Sequence, residues 1–180
     1  MPARGRDSLM RIFCSVALAL TVLIGMGAAP ARPGALDEAF ASADWKRAKS
    51  DNGMTVDCVS ESCAPPAHVA YTLGPPSPAM VKQIRSGAIN RQWAENLAAS
   101  FRRSQGDEIT VLNFAVQTGE IPGWSMIYEC NCEGTRNYVS SRLVAGGKNT
   151  MTFYSFARTP EAAKENMNKM IVAVLGMASR

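Results

Sequence analysis

Four consecutive stretches with strand-like patterns constrain this 180-residue sequence more than any other feature. Residues 108–118, 121–130, 136–145 and 150–156 are rich in β-branched and aromatic residues, which largely alternate with polar ones. The connections between them are short, and this favours an antiparallel meander over parallel strands joined by helices. Both faces of the last stretch carry bulky side chains, so we expect it to be a central strand that is covered on two sides.

Two helical regions are predicted, one before the meander and one after it. Ser77-Pro78 and Thr159-Pro160 each combine an N-cap residue with proline at the first helical position. Gly87 interrupts the first region and predicts a kink or two helices in tandem. Beyond it, an apolar stripe with helical spacing predicts a buried face, formed by Ile89, Trp93, Leu97 and Phe101.

The segment before the first helix adds two short strand-like runs. Residues 54–59 and 68–73 predict a hairpin with a proline-containing loop, and residues 37–49 predict a short helix or an exposed arm. The order is therefore ββ-α-ββββ-α. We expect an α+β domain with an antiparallel sheet of about six strands, flanked by two main helices in an α/β/α-sandwich-like arrangement.

The N-terminus has the pattern of a bacterial Sec-type signal peptide. A basic stretch of residues 1–11 precedes the uncharged apolar run 12–29, and Ala29-Pro30-Ala31 is typical of a cleavage site. Eighteen apolar residues are at the short end of a membrane span, so an uncleaved anchor is the alternative. The division predicted is a signal peptide over 1–31, an arm or short helix over 32–53, and one α+β domain over 54–180. The expected location is the periplasm or the exterior.

The charge of the chain excludes one class of partner. Net charge is +4 for the whole sequence, and the leader contributes three arginines and one aspartate, so +2 remains after cleavage. The remaining sequence has no cluster of lysine and arginine of the kind that binds a phosphate backbone. We therefore expect no nucleic-acid partner, and membrane attachment only through the leader if it is retained.

The cysteines left after the leader form an even set, which in an exported protein indicates structural disulfides. The four are Cys58, Cys63, Cys130 and Cys132. Local pairing would join Cys58 to Cys63 and Cys130 to Cys132, although the second bridge requires a bulge or turn, because side chains two apart in a strand lie too far from each other. The alternative is a double cross-link between the two pairs. Spacing alone leaves both connectivities open.

The same cysteines support a second hypothesis, in which the chain binds a metal or exchanges thiols. The C-x-C and C-x4-C spacings, with His68 nearby, are compatible with zinc or copper(I), but they are not the common ligand spacings. His68 is the only histidine, so any His-dependent catalysis would have to use it. The sequence contains no catalytic or cofactor motif, and we expect neither an enzyme nor a resident cofactor or metal.

Local features within this order of elements resemble the PsbP-like group, which includes the PsbP subunit of photosystem II, Mog-type proteins and bacterial DcrB-like proteins. They are Ile121-Pro122-Gly123-Trp124 leading a strand, residues 150–156 as the last strand, and Thr159-Pro160-Glu161-Ala162 opening the final helix. The resemblance covers about residues 54–178. It implies an α/β/α sandwich that acts as a binding or accessory module. We therefore expect an exported, disulfide-stapled, non-enzymatic protein of the cell envelope, whose partner is another envelope protein or a small apolar ligand.

Overall fold

A computed structural model of the protein describes residues 35–63, 67–105, 108–132, 135–146 and 148–175. The predicted leader and its cleavage site lie outside these ranges. The described elements are α1 (Ala35–Ala39), β1 (Trp45–Ser50), β2 (Gly53–Cys58), β3 (His68–Gly74), α2 (Pro78–Arg85), α3 (Arg91–Gln105), β4 (Glu108–Gln117), β5 (Gly123–Cys132), β6 (Thr135–Gly146), β7 (Asn149–Ala157) and α4 (Pro160–Leu175).

The strands form one antiparallel sheet in the order β1-β2-β3-β7-β6-β5-β4. Two meanders, β1-β2-β3 and β4-β5-β6-β7, are joined where β3 pairs with β7. The last strand is therefore the middle one, as its two-sided pattern predicts. Phe153 and Phe156 project from opposite faces of it and are both buried.

Helices cover both faces, so the predicted α/β/α sandwich is confirmed. α1 and α4 pack on one face around a core that includes Phe40, Val56, Phe153 and Met170. α2 and α3 pack on the other face around a core of the apolar residues Ile84, Ile89, Ala94, Ala98, Val111, Trp124, Met126, Leu143 and Ala145. We refer to these as the α4 face and the α3 face.

The helix ends follow the predicted chemistry. The Met80 N–H donates to Ser77 Oγ at 3.3 Å, and the Ala162 N–H donates to Thr159 Oγ1 at 3.1 Å. Gly87 has φ of 77°, a conformation that other residues rarely adopt, and it separates α2 from α3. The predicted break in the first helical region is therefore a change from one helix to the next.

The sequence prediction is wrong over residues 37–49. The helix ends at Ala39, and Trp45–Ser50 forms a seventh strand at the edge of the sheet. Within the described part of the chain, this strand has a neighbour on one side only. It exposes most of its residues, so it lacks the apolar alternation that marks a half-buried strand. Three of its six residues are cationic, which is typical of edge strands.

Candidate functional site

The first cysteine pair is a local bridge. Cys58 ends β2 and Cys63 ends the short 3-10 turn Glu61–Cys63, with Cα atoms 5.8 Å apart, and the two form a disulfide. Because Cys58 is bonded to Cys63, the double cross-link to the second pair is excluded. Cys130 is buried and is also disulfide-bonded. Cys132 ends β5, and its side chain lies outside the described part of the structure.

Asp44 attaches the loop that contains this bridge to the start of β1. Its carboxylate accepts a hydrogen bond from the Ser60 hydroxyl, and its carbonyl oxygen accepts one from the Val59 N–H at 2.7 Å. Hydrogen bonds from Ser60, and then from Ser62 and Ser42, lower the pKa of Asp44, because they stabilise its charged form. The bridge therefore belongs to a hydrogen-bonded structural corner of the domain.

His68 forms a paired unit with a carboxylate on the neighbouring strand. Asp57 is its direct cross-strand neighbour, and the Nδ1 and Oδ1 atoms are 2.5 Å apart. The ring of Tyr154, on the other side of β3, stacks at a centroid distance of 6.0 Å. The imidazole is half-buried, as expected for a histidine at a strand end. Within the described residues, no group of three His, Cys, Asp or Glu side chains is placed to hold a metal ion.

The described surface contains an open groove of about 650 Å³. It lies where α2 passes the turn between β6 and β7, and its volume is in the range of ligand sites in proteins. Its lining consists of Pro76, Ser77, Pro78, Val81, Lys82, Arg85, Ser86, Gly146 and Asn149. We call it the α2 groove.

Two kinds of side chain face the α2 groove. Pro76, Pro78 and Val81 provide an apolar wall, and Lys82 and Arg85 provide two cations. The two cations are three positions apart on the helix, so they share a face, and both are exposed. Neither forms an ion pair with any residue that the structure describes. Such a groove suits a ligand that is both apolar and negatively charged.

The local sequence explains why the α2 groove exists. Ser77 and Pro78 start α2 immediately after Pro75-Pro76, so the helix begins at the end of β3 without a long loop. Ile84 is fully buried and anchors the opposite side of the helix in the core, which leaves Lys82 and Arg85 outside. Both cations occur near the C-terminal end of α2, where the helix dipole favours them.

A smaller hollow of about 310 Å³ lies where β4, β5 and β6 meet at the other end of the sheet. Arg136 Nε and Glu129 Oε1 are 3.3 Å apart in its lining, so its central charges neutralise each other. Its remaining lining residues are Glu108, Thr110 and Asn131. This hollow has opposite charges already in contact, whereas the two cations of the α2 groove have no ion-pair partner among the described residues.

Sequence reasoning did not identify Lys82 and Arg85 as candidate site residues. The sequence shows that the two cations lie three positions apart on a capped helix. This spacing does not indicate a site, because lysines and arginines at such spacing are common on solvated helices. The residues that complete the α2 groove, Gly146 and Asn149, are about sixty positions further along the chain. Only the sheet order places them beside α2.

Comparison with known proteins supports the fold. No protein-family model matches the sequence, and no curated protein matches it. Among solved structures, the cyanobacterial PsbP (CyanoP) of Synechocystis matches with a TM-score of 0.51 and 7% identity, over 73% of this chain and 81% of that one. PA94, a protein of unknown function from Pseudomonas aeruginosa, matches with a TM-score of 0.38 and 9% identity, over 78% and 87% of the two chains. The chain therefore has the PsbP-like fold that its sequence pattern predicts.

Proposed function

We propose that this chain is an exported, non-enzymatic accessory protein of the bacterial envelope, and that it binds an acidic segment of another envelope protein in the α2 groove. One observation carries the proposal: the α2 groove combines an apolar wall with two exposed cations, Lys82 and Arg85, that have no ion-pair partner in the described structure. Unpaired cations beside an apolar surface favour a partner that supplies both carboxylates and apolar side chains.

Two features support the exported location. The first 31 residues have the pattern of a secretory signal. The Cys58–Cys63 disulfide fits an oxidising compartment, since cytosolic thiols are normally kept reduced. Among the described helices, none is long and apolar enough to cross a membrane.

We favour a protein segment in the α2 groove over the small apolar ligand considered from the sequence. A small apolar ligand would need an internal space between the helices and the sheet. Between the helices and the sheet, the core residues Ile84, Ala94 and Leu143 have at most 1% of their surface exposed. Such packing leaves little room for a ligand between these layers without displacement of side chains. The α2 groove, in contrast, is open to solvent along one side of a helix.

The alternative function, metal binding or thiol exchange, requires free thiolates. Cys58 and Cys63 are bonded to each other, and Cys130 is also in a disulfide. Thiol titration of the native protein tests this alternative directly. Two or more titratable thiols without denaturant, or a stoichiometric metal after purification, would support it against the accessory function.

A charge-reversal experiment tests the α2 groove. The probe is a short fluorescein-labelled peptide of alternating glutamate and leucine, and the measurement is fluorescence anisotropy at low and at physiological ionic strength. We expect the double variant Lys82→Glu/Arg85→Glu to weaken binding by about tenfold, because surface charge pairs contribute about 0.2–1 kcal/mol each and reversal adds repulsion. The matched control is Lys49→Glu/Lys164→Glu, which makes the same charge change at exposed sites outside the α2 groove.

Two results would overturn the proposal. One is equal loss of binding in the test and control variants, which would indicate attraction by net charge alone. The other is binding of phosphatidylglycerol vesicles in preference to the peptide, with the same dependence on Lys82 and Arg85. That result would assign the α2 groove to a lipid headgroup rather than to a protein segment.

A further inference from the structure

The outer edge of β4 offers a second interaction surface, independent of the α2 groove. Among the residues that the structure describes, β4 is the last strand in the sheet order and pairs with β5 on one side only. It is ten residues long, and an unpaired edge of this length presents backbone N–H and C=O groups that can extend the sheet. It also exposes two large apolar side chains, Leu112 at 44% and Val116 at 37%.

The usual protections of an edge strand are confined to the first half of β4. The pairing with β5 shifts between Val111 and Asn113, which marks a bulge or irregularity. At that position Arg91 Nη2 donates a hydrogen bond to the Val111 carbonyl oxygen at 2.8 Å. Beyond it, residues 113–117 contain no charged residue and no proline, and all of them except the half-buried Phe114 are exposed. This second half is therefore open to another strand.

The open half of β4 is complementary to itself. In an antiparallel pair of two copies centred on Ala115, Phe114 of each copy would face Val116 of the other, and Asn113 would face Gln117. The first pair lies on the α3 face, where Phe114 contacts Trp93 and Trp124, and the second lies on the opposite face. Apolar residues then meet apolar residues, amides meet amides, and no like charges are opposed.

The helix above β4 leaves part of the strand uncovered on the α3 face. α3 packs chiefly on β4, and its Trp93 turns inward, with a ring centroid 5.5 Å from that of Trp124 in β5. Val116 lies on the same face of β4 and is 37% exposed, so the helix leaves this position accessible to another strand. A two-fold axis at Ala115 would place the two copies of α3 side by side on one face of a continuous sheet.

We propose that two copies of this chain form a symmetric dimer by antiparallel pairing of residues 113–117 of β4 about Ala115. The interface is closed, because pairing uses the β4 edge of both copies, and it buries Val116. The β1 edges remain at the two outer ends of the combined sheet, where their cations oppose further addition of strands.

A cysteine cross-link tests the register. Ala115→Cys would place two thiols across the axis, where Cα atoms of an antiparallel pair are roughly 4.5–5.5 Å apart, within the range that a disulfide spans. Lys49→Cys in the β1 edge is the matched control. Under mild oxidation we expect a covalent dimer of Ala115→Cys on a non-reducing gel, formed at least about tenfold faster than that of Lys49→Cys.

Two double variants test the pairing without a covalent link. Asn113→Glu/Gln117→Glu places like charges opposite each other twice, whereas Asn113→Lys/Gln117→Glu places opposite charges at the same positions. Both variants carry the same residue at position 117, where Arg142 Nη2 donates to Gln117 Oε1 at 3.3 Å in the wild type, so the contact with Arg142 is matched. By sedimentation equilibrium, we expect the first to raise the dimer dissociation constant at least about tenfold and the second to leave it near that of the wild type. Circular dichroism confirms that both variants fold.

The dimer proposal fails on either of two results. One is a wild-type chain that stays monomeric over the whole concentration range, with Ala115→Cys cross-linking no faster than Lys49→Cys. The other is equal weakening of the dimer by both double variants, which would exclude the register centred on Ala115. Neither result affects the peptide experiment on the α2 groove, which is at a different place on the domain.

Discussion

The two edges of the sheet are built in opposite ways. β1 is six residues long, contains Lys46, Arg47 and Lys49, and is held by contacts with neighbouring segments. Arg47 forms an ion pair with Asp37 of α1 and donates to the Phe40 carbonyl oxygen at 2.9 Å. β4 is ten residues long, and its single charged residue is Glu108 at the start of the strand.

This difference predicts that the two edges differ in their ability to pair with another strand. Lysine and arginine on an edge strand oppose the approach of another strand, because each added backbone would bring further charges or bury existing ones. An edge without such charges depends on irregularity alone, and β4 has irregularity only near Val111. Charge placement therefore indicates that β1 ends the sheet and that β4 is the edge open to extension.

The largest expected effect comes from removing the anchor of the β1 edge. Phe40 is 2% exposed and packs edge-on against Trp45 at a centroid distance of 5.3 Å. We expect Phe40→Ala to lower the free energy of unfolding by about 3–5 kcal/mol, because a large buried side chain is replaced by a cavity. Urea denaturation measures this change. Val172→Ala, at an exposed position of α4, is the control, and equal effects of the two variants would contradict the assignment of Phe40 as the anchor.

A smaller loss is expected from opening the bridge beside the same edge. For Cys58→Ser/Cys63→Ser we expect a decrease of about 2 kcal/mol in the free energy of unfolding, the size predicted for a short disulfide loop. The β4 edge is far from this bridge in the sheet order, so its hydrogen exchange should remain unchanged. Urea denaturation of the wild type and the variant, both without reductant, measures the first effect. Unchanged stability would mean that the hydrogen bonds at Asp44 suffice to hold the corner.

At the β4 edge, the corresponding test removes the guanidinium of Arg91, which bonds to Val111 where the pairing with β5 shifts. We expect Arg91→Met to lower the free energy of unfolding by about 1 kcal/mol, because the Val111 carbonyl oxygen loses its donor and Glu95 loses its ion pair at 2.9 Å. Hydrogen exchange should increase within β4 and not within β1. Arg85→Met, at an exposed position of α2, is the control. Increased exchange at both edges would show that the variant acts on the whole sheet.

The smallest expected effect concerns pH at the β1 corner. Hydrogen bonds hold the pKa of Asp44 below its ordinary value in the folded state, so the ionised carboxylate stabilises the fold at pH values above about 4. This contribution is lost as the pH falls below about 4 and through the folded-state pKa. Asp44→Asn should therefore be less sensitive to acid in this range than the wild type, as measured by denaturation midpoints. The exposed Asp51→Asn should keep the wild-type dependence, and a matching change in both variants would contradict the role of Asp44.

Prediction from sequence worked best where a pattern is local. The four strands of the meander, their order and the caps at Ser77 and Thr159 follow from alternation, turn residues and side-chain chemistry within a few positions. Prediction of secondary structure from sequence failed at β1, because a strand exposed at the edge of a sheet needs no apolar alternation. It left the cysteine pairing open, because spacing does not specify whether residues 58–63 turn back on themselves.

By itself, therefore, the sequence determined the α+β class and the antiparallel meander, since both depend on residues that are neighbours along the chain. Only the tertiary structure decided that β3 pairs with β7, that β4 is the outermost of the described strands, and that Lys82 and Arg85 line one groove with Gly146. These features depend on which distant segments pack together. That choice is made by burial of the two cores on either side of the sheet, summed over many residues, and no short stretch of sequence contains it.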